Sequence, residues 1–277
     1  MAAWINGTII NNTKWHEHLF SLQIKPAVPL EFRAGQYVRL ALPSLTETDN
    51  AAIIPTSEPL LTHRAYSMVN APQQENLEFY IAAVPGGEFS PRIQAMRTGE
   101  PLQLSQAASG FFMLEHVPDA DSLWLIATGT GLGPYLSMLK TAEPWQRYQR
   151  IVVVHGVRHE RDLGYQQWLR DLQREHPTQF VYQPVLSGNI PSSVSDEINR
   201  PVGGKSGSAY LPGRIPALIA DGSLELATGI AINHTAQIML CGNPDMITDA
   251  RTVLAERDLR INLKRKPGNI TLEQYWK

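Results

Sequence analysis

Apolar and polar residues alternate along the first part of the chain. In "QYVRLAL", Val38, Leu40 and Leu42 alternate with polar or small neighbours, and in "LEFYIAAV", Leu77, Phe79, Ile81 and Ala83 do the same. A period of two predicts half-buried strands. Turn clusters at Pro72, Gly86-Gly87 and Gly99 separate them at spacings that suit an antiparallel barrel or sandwich. The stretch from Ser44 to Thr62 is polar and contains proline, which predicts a long loop. From Asp119 onward the period changes. The apolar runs "LWLIATG", "RIVVVHG", "FVYQPVLSG" and "QIMLCGNP" alternate with the helical stretches "YLSMLK", "YQQWLRDLQREH" and "DMITDARTVLAERDLR". Repeated strand–helix–strand units predict a parallel sheet with helices on its faces. The expected division is residues 1–117 for the antiparallel domain and 118–277 for the α/β domain.

In a parallel sheet, ligands collect beyond the carboxyl ends of the strands. Those ends are Gly129 to Gly133, then His155-Gly156-Val157-Arg158, then Ser187-Gly188, then Cys241-Gly242-Asn243. Glycine openings and an arginine therefore gather at one edge. In "LWLIATGTGLGPYLSMLK" a short apolar run meets Gly129, Gly131 and Gly133, and Pro134 then suits a first helical position. The stretch reads strand, glycine loop, helix, with unpaired amide groups facing whatever lies beyond. Its spacing is not the G-x-G-x-x-G dinucleotide fingerprint, and plain strand-to-helix punctuation explains the loop alone. The gathering of four such ends favours a nucleotide. In "CGNPDM", Asn243 is placed to cap a last helix that starts at Pro244.

The first domain carries its own candidate chemistry. In "HRAYSMVN", Arg64 and Tyr66 share one face of a strand while Ala65 and Ser67 point the other way. Such a strand suits a planar cofactor: an arginine for a pyrophosphate, an aromatic ring to stack, a hydroxyl for a ring nitrogen. A solvated strand face would use the same residues. The segment "PGGEFSPRI" adds a glycine turn with Ser90 before Pro91 and a short helix, which suits a second phosphate site or a capped turn.

Composition narrows the field. The formal net charge is −2 over 277 residues, so no global field points to nucleic acid or to an anionic membrane. No apolar run approaches the roughly 20 residues of a membrane span, and the first residues lack the basic and apolar regions of a signal peptide. A cytoplasmic protein is expected. The single cysteine, Cys241, allows no internal disulfide, no cysteine-built zinc site and no cage for an iron–sulfur cluster. Redox chemistry would thus rest on an organic cofactor or on a partner's cluster, with no metal of its own.

Taken in order, Arg64-Ala65-Tyr66-Ser67, Gly87-Glu88-Phe89-Ser90-Pro91, Gly129-Thr130-Gly131-Leu132-Gly133-Pro134, Cys241-Gly242-Asn243-Pro244 and the closing Tyr275-Trp276 resemble the ferredoxin-NADP reductase family, specifically its bacterial ferredoxin/flavodoxin-NADP reductases. The resemblance runs through almost the whole chain. It implies an FAD-binding antiparallel β-barrel followed by a NADP-binding α/β domain whose tail returns to the FAD. It implies that Arg64 holds the FAD pyrophosphate, Tyr66 stacks on the isoalloxazine and Ser67 lies near its N5. Ala65, Gly87, Glu88, Phe89 and Ser90 would complete the FAD site, with Trp276 packed on the cofactor and Lys277 following it. For NADP it implies Thr128, Gly129, Thr130, Gly131, Arg158, Arg214, Cys241, Gly242 and Asn243, with the glycine loop at the pyrophosphate, Arg158 and Arg214 at the 2′-phosphate and Cys241 bordering the nicotinamide pocket. Tyr66, Ser67 and Cys241 are the residues expected beside the reacting atoms.

The implied activity is hydride exchange with NADP(H) at FAD N5 and single-electron exchange with ferredoxin or flavodoxin. The alternatives are a flavin-containing electron-transfer subunit of a larger complex and a nucleotide-binding regulatory module without turnover. Where the family places a further nucleotide-binding arginine, this chain has Gly188, followed by a polar insertion from about Asn189 to Ala209 that contains Arg200 and Lys205. The tail "LRINLKRKPG" brings Arg260, Lys264, Arg265 and Lys266 together, a basic cluster suited to an acidic redox partner. A monomer is expected.

Overall fold

A computed structural model describes residues 3–44, 61–188 and 210–275. The first half is antiparallel: β1 (Trp4–His16), β2 (Leu19–Pro26), β3 (Tyr37–Pro43), β4 (Leu61–Ser67), β5 (Leu77–Ala82) and β6 (Pro101–Ser105) pair in the order β4-β3-β6-β1-β2-β5. The two outer strands meet again just past β4. Met68 bridges Phe79, and the Val69 amide donates to the Glu78 carbonyl at 2.8 Å. The sheet therefore closes into a barrel, which removes its free edges. The period-two residues fill it: Val38, Leu40, Leu42, Leu77, Phe79 and Ile81 are all buried in one cluster with Phe20, Leu22 and Ile24. Strand β1 is long and bends at two register shifts, Ile9/Asn11 and Lys14/His16, as bulges do. The second shift delivers Trp15 and His16 to the other half of the molecule.

The second half is a parallel sheet of β7 (Ser122–Thr128), β8 (Arg150–Val157), β9 (Phe180–Leu186), β10 (Leu211–Pro212), β11 (Ala236–Gly242) and β12 (Ile270–Gln274), ordered β10-β9-β8-β7-β11-β12. The chain winds outward from β7 to β10, then crosses back to lay β11 and β12 on the other side of β7. The reversal makes the carboxyl ends of β7 and β11 a topological switch point. Alternate residues of β7 serve two cores. Trp124 and Ile126 pack with Ile215, Ile219 and Leu254 on one face, while Leu123, Leu125 and Ala127 pack with Tyr135, Leu136 and Leu169 on the other. That second core also takes in Leu19, Val69, Tyr80 and Phe112. Thus β5 is buried on both sides, Phe79 inward and Tyr80 toward the α/β half. Among the described residues no helix is long and apolar enough to cross a membrane.

Candidate functional site

At the switch point each glycine has a separate reason. Strand β7 gives way to a 3₁₀ turn, Gly129–Leu132, and then to the helix Gly133–Leu139. Gly129 alone of the three turn glycines has a positive φ, 53°, and a Cβ there would meet nothing within 4 Å, so its backbone is open to a ligand. A Cβ on Gly131 would stand 2.6 Å from the Cys241 carbonyl oxygen. That glycine is required by the close packing of the loop on β11. Gly242 stands at φ 123°, where a Cβ would collide with Thr128. Its neighbour Asn243 donates its amide to Thr128 Oγ1 at 2.8 Å and caps the helix Pro244–Ala255, accepting from the Asp245 amide at 2.7 Å. Beneath the turn, fully buried His155 has its Nε2 3.0 Å from the Gly129 carbonyl. Burial lowers its pKa to about 4, so a neutral imidazole N–H donates to that carbonyl.

The barrel supplies side chains. On β4, Arg64 is exposed, Tyr66 half-buried and Ser67 buried, paired across to Tyr37–Leu40 of β3. Arg64 donates to the His63 carbonyl at 2.8 Å, and its guanidinium has further N–H groups to offer. The Tyr66 ring lies 6.2 Å from that of buried Phe89, nearly parallel, and burial holds its hydroxyl protonated. In the 85–93 turn, the Ser90 hydroxyl oxygen is occupied by the Val84 amide at 2.9 Å, which caps the turn. Glu88 accepts from Thr62 at 3.0 Å, and a Cβ on Gly87 would crowd the Val84 carbonyl.

Between the halves lies a cavity of about 840 Å³, within the size range of ligand sites. From the sheet edge it is lined by Thr128, Gly129, Thr130, Arg158, Arg214 and Asn243, so six of the expected nucleotide residues converge. The barrel contributes His16, His18 and Ala82 to Val84. His159, Arg161, Asp162, Asp245 and Asp249 also line it and were missed. Only the spacing of Asp245 and Asp249, one helical turn apart, hinted at a shared face. Gly131, Cys241 and Gly242 do not line it, and neither do the residues of β4 or of the 85–90 turn. A Cβ on Gly188 would lie 2.5 Å from the Arg158 carbonyl oxygen and 3.0 Å from the His159 ring, so glycine is required where an arginine was expected. Trp276, Lys277, Arg200, Lys205 and most of the 44–62 loop lie outside the described residues.

The carboxyl edge of β12 links the two sets. Half-buried Tyr275 donates toward both Ser67 Oγ and the Thr130 carbonyl, each at 3.3 Å, and so touches both expected cofactor sites. Cys241 is fully buried; its thiol, pushed well up by burial, stays protonated. Its register partner Glu273 has Oε2 buried without a partner, and burial raises its pKa to about 7. Glu273 did not stand out in the sequence, because β12 is five residues long and shows no distinctive pattern; Tyr275 was noted only as part of the closing Tyr275-Trp276, with no role of its own. Among the described residues no group of three or more His, Cys, Asp or Glu could hold a metal ion.

Comparison with known proteins accords with this geometry. The oxidoreductase NAD-binding domain family matches residues 125–252. A flavodoxin/ferredoxin–NADP reductase of Shigella flexneri is 38% identical over the whole of both chains, and that of Escherichia coli 37%. A crystal structure of a ferredoxin NADP+ reductase from Neisseria gonorrhoeae with bound FAD and NADP superposes with a TM-score of 0.83 at 26% identity, covering both chains entirely.

Proposed function

The chain belongs to the flavodoxin/ferredoxin–NADP reductase family, and from that premise we propose that it binds FAD on the barrel and NADP(H) in the cavity and moves electrons between NADP(H) and a ferredoxin or flavodoxin. The observation that carries this reading is the cavity between barrel and sheet edge, onto which Gly129, Arg158, Arg214 and Asn243 converge. Residues 1–117 form the FAD domain and 118–277 the NADP domain.

The residues fit both groups. Arg64 offers a guanidinium for a pyrophosphate, Tyr66 an aromatic face, and the backbone of Ala65 and of Gly87 to Ser90 the surrounding contacts. Ser90 acts through its backbone and its hydroxyl proton, since its oxygen is already engaged. The open backbone at Gly129 and Thr130 suits a second pyrophosphate, and Arg158 and Arg214 suit the 2′-phosphate. When bound, the flavin accepts a hydride from NADPH and releases electrons singly to a protein acceptor. This chain's part is to orient and to exclude water. Tyr275 holds Ser67 and Thr130 in one hydrogen-bonded unit, and the protonated Cys241 keeps a neutral surface behind the nicotinamide. Trp276 would pack on the FAD.

The basic cluster belongs to the partner side of the reading. Arg260, Lys264, Arg265 and Lys266 are exposed, the last three on or beside a tight turn in which Leu263 and Lys266 exchange backbone hydrogen bonds at 3.0 and 2.9 Å. The turn leads into the amino end of β12, at the opposite edge of the sheet from the cavity. Its role is therefore long-range attraction of an acidic acceptor during encounter. Both walls of the cavity come from one chain, so a monomer suffices. The relatives that this chain resembles over its whole length are reductases, which favours the reductase reading over an electron-transfer subunit of a larger complex.

The deciding experiment is a visible absorption spectrum of the purified protein, followed by addition of NADPH. Flavin bands that bleach with NADPH support the reading; a colourless protein overturns it and leaves a regulatory nucleotide-binding module.

A further inference from the structure

Away from the cavity, the two halves also meet at one residue with a strained backbone. Tyr165, at φ 60°, stands in the left-handed region that few side chains adopt. Its hydroxyl donates to Glu78 Oε1 at 2.8 Å and lies 2.6 Å from Ser21 Oγ, which itself accepts from Trp15 Nε1 at 2.9 Å. One arrangement of protons satisfies every group. Trp15 donates to Ser21, Ser21 to Tyr165, and Tyr165 to Glu78, whose other oxygen is 3.4 Å from Lys140 Nζ. Lys140 also donates to the Val69 carbonyl at 3.0 Å. Trp15, Ser21 and Glu78 belong to the barrel, while Lys140 and Tyr165 belong to the α/β half.

The same short segment is gripped elsewhere. Tyr80 accepts the Gly164 amide at 3.1 Å and donates to the Asp162 carbonyl at 3.3 Å. A Cβ on Gly164 would collide with the Tyr80 ring. His16 Nε2 stands 3.1 Å from Asp162 Oδ1. The gripped residues, Asp162 to Tyr165, continue the loop that begins at Arg158 and carries Arg161, both on the cavity wall. On the barrel side, β5 carries Glu78 and Tyr80 and then Ala82, which lines the same cavity. A strained conformation survives only where its surroundings over-determine it, and such residues cluster where geometry serves function.

We propose that Tyr165 is a positioning residue for hydride transfer: by tying Ser21 and Glu78 to the loop that carries Arg158, it sets where bound NADPH stands relative to a barrel-bound flavin. This rests on the cofactor assignment above. Tyr165 itself does not line the cavity. Reacting atoms must approach within about 3–3.5 Å, and a displacement of roughly 1 Å can slow a reaction about a hundredfold. An error in domain registry therefore appears in the hydride step before it appears in binding.

The test uses the purified holoprotein. Tyr165→Phe keeps the ring against Trp15 and Tyr80, 4.9 and 5.1 Å away, and removes only the hydroxyl. Stopped-flow flavin reduction by NADPH should slow by roughly tenfold or more, with a weaker long-wavelength charge-transfer band between nicotinamide and flavin. FAD content, affinity for 2′-AMP and reoxidation of dithionite-reduced flavin by ferricyanide should stay at wild-type values. Glu78→Gln, which keeps an acceptor for Tyr165, should retain more of the rate than Tyr165→Phe. An unchanged reduction rate in Tyr165→Phe overturns the proposal. So does a loss of 2′-AMP affinity equal to the loss in rate, which would mean local damage to the nucleotide site. If Tyr165→Phe does not fold, Ser21→Ala, which breaks the same bond from the barrel side, decides: a slowed hydride step with normal 2′-AMP binding supports the role, and any other result overturns it. A wild type that NADPH does not reduce would instead overturn the cofactor reading, and this role with it.

Discussion

The candidate sites on the two halves of the molecule are made of different material. The parallel sheet offers backbone: Gly129 open at φ 53°, Gly131 pressed on β11, Gly242 at φ 123° against Thr128. The barrel offers side chains on an ordinary strand, Arg64, Tyr66 and Ser67. A backbone site is specified by what cannot be there, namely a Cβ. A side-chain site is specified by what is there. The first kind breaks when an atom is added, and the second when atoms are removed.

Adding an atom should have the largest effect. Gly242→Ala combines a disfavoured φ with a collision at Thr128, each worth about 1–3 kcal/mol. Its Tm should fall by roughly 5–15 °C in thermal unfolding, whereas Gly129→Ala, with open space around it, should lose far less. A Gly242→Ala protein as stable as wild type would break the comparison. Next comes Arg64→Ala. Losing a charge-assisted pair costs roughly 1.5–3 kcal/mol, so the protein should purify largely as apoprotein with FAD affinity about ten- to a hundredfold weaker. Retention of FAD at full affinity would remove Arg64 from the site. Arg158→Ala and Arg214→Ala should each lower kcat/KM for NADPH by roughly ten- to a hundredfold and spare NADH. With Gly188 in place of a third arginine, wild type should prefer NADPH by less than a three-arginine site would give. A wild type that prefers NADH would overturn both assignments.

Smaller effects sharpen the contrast. At the sheet edge, burial penalises the charge of Glu273 and raises its pKa to about 7. The folded state holds its proton more tightly than the unfolded chain does, so stability falls as pH rises from the ordinary glutamate range toward 7 and levels off above it. Glu273→Gln should therefore unfold at a higher temperature than wild type at pH 8, with the difference shrinking toward pH 5. A difference that grows toward low pH would contradict the sign. The smallest change belongs to the opposite edge. Reversing Lys264 and Lys266 should slow reduction of an acidic protein acceptor a few-fold at low salt, less at high salt, and leave ferricyanide reduction unchanged. Equal loss with both acceptors would indicate damage to the fold.

Much of this was legible in the chain. The period of two marked β3 and β5 as barrel strands, and the alternation of apolar runs with helical stretches marked the parallel sheet and hence the edge where a ligand would lie. Asn243 announced itself as a cap through the proline that follows it. The candidate nucleotide residues picked out in this way are those that close a strand, because strand ends are visible as a change of pattern. Other roles followed a different logic. Gly131, Gly188 and Gly242 look alike in the sequence, yet one packs on a carbonyl, one makes room for His159, and one turns the chain beside Thr128.

The sequence by itself determined the class of each half, the order of the elements and the residue types that face a ligand, because periodicity and turn chemistry are local properties. Only the tertiary structure decided which residues from distant segments share a surface. His16 reaches Asp162, Tyr165 reaches Ser21 and Glu78, and Tyr275 reaches Ser67 and Thr130 across 208 and 145 residues. No local pattern encodes such meetings. They follow from closure of the barrel, the reversal of the sheet at β7 and the packing of one half against the other.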